Sequence, residues 1–99
     1  MSETVGRRLG FLERRRLGFT VPAVIEAARK VGKPQLDGLP GEEVAAARQE
    51  FAEAIALEVM GAHATEWAPI VQEGRDWAAF FEALMKFIEM IMPFIMMFM

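Results

Sequence analysis

Ninety-nine residues with a net charge of −3 and 54% hydrophobic residues make one small domain that is more apolar than its size warrants. Soluble domains average about 45–50% apolar residues with glycine counted, and small ones have proportionally more surface to keep polar. One histidine, no cysteine, no tyrosine and a single serine, Ser2, exclude disulfide or thiolate chemistry and leave no material for a catalytic or zinc cluster.

The charge is segregated. Residues 1–33 hold eight basic against three acidic residues, net +5, and residues 34–99 hold three against eleven, net −8. Residues 1–19 read as a basic arm. Within it Arg7-Arg8-Leu9-Gly10-Phe11 is repeated as Arg15-Arg16-Leu17-Gly18-Phe19. An offset of eight rotates about 80° on a helix but returns to the same side of an extended chain. The expectation is therefore an extended arm whose Arg7, Arg8, Arg14, Arg15 and Arg16 meet an anionic surface: lipid headgroups, nucleic acid or the acidic half of a neighbouring copy. No apolar run follows the first charges before Gly18, so no cleavable secretory signal is read.

Residues 20–62 form the helical region. Thr20 is positioned to cap a helix over about 21–31, with Pro22 in the first turn and Val24, Ile25, Ala28 and Val31 on one face. Gly32 and Pro34 end it, and residues 32–41 form a Pro/Gly loop. A second helix over about 42–62 places Val44, Ala47, Phe51, Ile55, Val59 and Ala62 together. Residues 63–76 read as a connector, because Pro69 and Gly74 interrupt a helix. His63 and Glu66 lie three apart there, too few groups for a metal or catalytic site.

Asp76 is placed to cap the final helix, over residues 77–99 with Pro93 as a kink or stop. Its charges, Glu82, Lys86 and Glu89, fall within about 60° of one another at 100° per residue. Arg75 extends this charged stripe if the helix reaches back that far. The rest is apolar, and Trp77, Phe80, Phe81, Leu84, Phe87, Ile88, Ile91, Phe94, Ile95 and Phe98 form the candidate membrane or interface anchor. Residues 90–99 carry no charge, and five of them are methionine. Thioether binding of Cu(I) finds no accompanying Cys or His, and no metal or other cofactor is expected.

As a helix, residues 77–99 reach about 34 Å, enough to cross a bilayer. Three charges near its centre cost about 8–10 kcal/mol against about 5–10 kcal/mol returned by the large apolar residues, so a solitary span is marginal. A flat interfacial helix, a bundle that buries the stripe and an apolar protein groove all relieve the conflict.

The expectation is an all-α, extended helical protein without enzymatic activity. It reads as a structural or assembly subunit, a homo-oligomer or part of a larger complex. Its C-terminal helix anchors it in a membrane or an apolar interface, such as a virus particle or a multi-subunit membrane complex. No small-molecule substrate is expected. The alternatives are a membrane-permeabilising, pore-forming protein of the lysis type and a nucleic-acid-binding packaging protein.

Overall fold

The structure, a computed structural model, describes residues 11–73 and 77–99. It is all-α: every regular element among those residues is a helix. In chain order these are α1 (Phe11–Arg16), α2 (Val21–Val31), α3 (Gly41–Ala62), α4 (Ala64–Glu73) and α5 (Trp77–Met97).

The second copy of the repeat is a helix stop, not an extended grip. Gly18 N–H donates to Arg15 O at 3.1 Å and Phe19 N–H to Arg14 O at 2.7 Å, the paired bonds of a Schellman turn. Gly18 holds the required positive φ, +92°. The Arg14 guanidinium lies 5.7 Å from the Phe19 ring centroid, where such a turn usually has an apolar contact. Leu17, Gly18 and Phe19 are buried, so the last three residues of the expected arm belong to the core. Burying Leu17 and Phe19 is worth about 1.5–3 kcal/mol each, which an extended arm in water forfeits. The first copy of the repeat, with Arg7 and Arg8, lies outside the described residues.

Thr20 caps α2, its Oγ1 accepting from Ala23 N–H at 3.2 Å with Pro22 in the first turn. The helix ends at Gly32, whose φ is +95°. Val24, Ala27 and Ala28 of α2 and Ala52, Ile55 and Ala56 of α3 are buried. Alanine on both helices lets the two axes approach closely.

Residues 64–73 are helical where a connector is expected. Pro69 removes one backbone donor, but Thr65, whose carbonyl loses that donor, is exposed and can be solvated. The helix is held through Trp67, which is buried edge-on to Phe80 with ring centroids 6.4 Å apart. Its Nε1–H donates to Leu17 O at 2.9 Å, joining positions fifty residues apart. His63, at the end of α3, places Nδ1 3.0 Å from Val59 O. A carbonyl only accepts, so Nδ1 carries the proton in this bond. This histidine is a cap.

α5 continues past Pro93 to Met97. Proline leaves the Glu89 carbonyl without its helical donor, and Glu89 is exposed. Ile95, fully buried beyond the proline, fixes the last turn, and Phe98 N–H closes on Phe94 O at 3.0 Å. Asp76, the expected cap, and Arg75 lie outside the described residues.

Candidate interaction surface

Two sides of α5 have opposite fates. Phe80, Leu84, Ile88, Ile91 and Ile95 are buried in one core with Phe51, Ile55, Val59 and Trp67. Phe81 and Phe87 are half-buried against that core, and Phe87 stacks on Phe19 at 6.0 Å. The expected anchor is therefore mostly the protein's own interior. The physical reason is proximity: α2, α3 and the Leu17–Phe19 turn supply an apolar wall within the chain. Glu82, Lys86 and Glu89 point away from it and are exposed.

What remains outside lies mainly on one flank of the C-terminal half of α5. Met90 is 67% exposed, Phe94 53%, Met97 72% and Phe98 55%. Met90, Phe94 and Met97 follow the i, i+4, i+7 spacing of one helix face. Trp77 is exposed at the other end of the helix and tilts against Phe81, 5.8 Å away. Of the ten expected anchor residues, only Trp77, Phe94 and Phe98 keep open surfaces. Met90 and Met97, outside the ten expected anchor residues, complete the patch; their only sequence signal is periodicity beside the charged stripe.

On the opposite flank, α3 and α5 enclose an open groove of about 680 Å³. Ala45, Arg48 and Gln49 line it from α3, and Glu89, Met92 and Met96 from α5, with Pro93 at the edge it shares with the Met90–Met97 flank. The start of α3 thus lies beside the end of α5, so these two long helices run antiparallel.

Arg14, Arg15 and Arg16 are exposed on the last turn of α1, in good register with its negative dipole end. Among the described residues no three His, Cys, Asp or Glu side chains are grouped to hold a metal ion. Among the described residues no helix is long and apolar enough to cross a membrane. The spanning geometry considered for residues 77–99 is therefore set aside for α5.

Geometry and fold define a small all-α protein with an apolar core and an uncovered apolar flank on α5. Comparison with protein-family models, curated proteins and solved structures gave no match to the chain.

Proposed function

We propose that this chain is a non-catalytic assembly subunit that docks through the outer flank of α5. The observation that carries the reading is the set Met90, Phe94, Met97 and Phe98, each more than half exposed in a stretch without a single charge. Isolated exposed apolar residues are ordinary, but a continuous run on one face marks a contact surface. Methionine and phenylalanine suit such a surface, since flexible thioethers adapt and aromatic rings bring large contact area. The working locus is a protein assembly.

The test is the combined variant Met90→Gln, Phe94→Gln, Met97→Gln. All three side chains are exposed, so helicity and thermal stability are expected to stay near those of the parent. Under native conditions the parent is expected in a larger species and the variant as a monomer. A parent and variant of identical size would overturn the reading. Release of dye from neutral liposomes by the parent but not the variant would move the function to membrane permeabilisation.

A further inference from the structure

We infer that the occupant of this flank is a second copy of the chain, paired antiparallel through α5 about a two-fold axis. The inference rests on the docking reading above and names its partner. Ala79, Ala83, Lys86, Met90, Pro93 and Met97 recur along α5 at alternating spacings of four and three, the rhythm of a two-helix seam. All but the half-buried Ala83 are exposed, so the seam is open along the helix.

Its side chains are graded in size. The N-terminal end is small, Ala79 and Ala83; the C-terminal end is large, Met90 and Met97, with Phe94 beside them. A parallel pair sets bulk against bulk at one end and leaves a gap at the other. It also aligns Lys86 with Lys86 and Glu89 with Glu89. An antiparallel pair sets Ala79 against Met97 of the second copy, Ala83 against Pro93, and Lys86 against Met90, with Phe94 leaning over the alanines. The same register brings Lys86 level with Glu89 of the second copy to within about 1.5 Å along the axis. Two lysines and two glutamates then gather around the two-fold axis with no net charge.

Such self-complementarity is what an isologous contact needs. A lipid surface offers no partner for charges in the middle of the seam. The paired stretch is about 27 Å long, and the buried area is on the order of 1,000 Å², at the lower edge for a specific pair. A reversible dimer in the micromolar range is expected.

Sedimentation velocity of the full chain from micromolar to submillimolar concentration is expected to show a monomer–dimer equilibrium. Lys86→Glu sets four glutamates around the axis and should weaken the dimer by at least about tenfold. Lys86→Glu with Glu89→Lys restores the opposition and should recover it. The chain has no cysteine, so introduced ones report orientation without interference. A mixture of Ala79→Cys and Met97→Cys chains should cross-link on mild oxidation, whereas neither variant should link to itself. Self-linking of either variant, or a dimer indifferent to both charge variants, overturns the antiparallel pairing. A chain that stays monomeric throughout overturns it as well. The docking reading survives that last result if the Met90, Phe94, Met97 glutamine variant still leaves a larger complex that the parent joins, and falls with it otherwise.

Discussion

Gly18 is where one atom has the largest consequence. A Cβ there would sit 2.5 Å from Val59 Cγ1 and 2.9 Å from the His63 ring, on a backbone with positive φ. Conformational strain of about 1–2 kcal/mol adds to overpacking of about 1–3 kcal/mol. Gly18→Ala is therefore expected to lower stability by about 2–5 kcal/mol in urea titration. Trp67 tests the other side of the same junction. Trp67→Phe keeps an aromatic ring but removes the donor to Leu17 O, leaving a buried carbonyl unpaired. A loss of about 1–3 kcal/mol is expected. Hydrogen exchange should show α1 and the Leu17–Phe19 turn opening before α3. Equal acceleration throughout would mean that the indole bond does not tie this segment to the bundle.

Helix α2 depends on its cap more than the longer elements do, having eleven residues to distribute the loss. Thr20→Ala should cost about 1 kcal/mol and Thr20→Ser much less, read as thermal midpoints by circular dichroism. Helix α5 divides its residues between two tasks, and substitution separates them. Ile88→Ala removes a fully buried side chain and should cost about 2–5 kcal/mol. Phe94→Gln alters an exposed one, so its effect on folding should fall within about 0.5 kcal/mol. If Phe94→Gln destabilised the isolated chain as much as Ile88→Ala, the flank would be part of the core and the docking proposal would lose its surface.

Among the described residues one apolar cluster draws on α2, α3, α4, α5 and the Leu17–Phe19 turn. The described residues are therefore expected to unfold as one unit, with Trp67 fluorescence and helical circular dichroism reporting the same midpoint. This also changes the outcome of truncation. Removing residues 90–99 takes Ile91 and Ile95 out of the core together with the exposed methionines. The product should be less stable and more prone to aggregate, not a soluble domain freed of its anchor. A truncated chain with unchanged stability would mean that the last turns of α5 only rest on the core.

By itself the sequence determined the helices that local rules specify. Thr20, Pro22 and Gly32 bracket α2 because capping and φ preference act within a few residues. The charged line Glu82, Lys86 and Glu89 likewise marks one narrow side of α5, but its exposure in the folded chain is a result of the tertiary structure. Gly18 carries a local signal too, since Arg-Leu-Gly-Phe after a short helical stretch suits a Schellman stop, while the eight-residue repeat suits an extended chain equally well. The tertiary structure alone decided what covers the wide apolar side of α5. Periodicity gives the width of a face but not its partner, and lipid, a second copy or the chain's own α2 and α3 satisfy it alike. Here the partners are in the same chain, so burial against them needs no second molecule and carries no association cost. The same distinction explains α4. Pro69 argues locally against a helix, and Trp67, through Phe80 and the Leu17 carbonyl, overrides it from contacts distant in sequence.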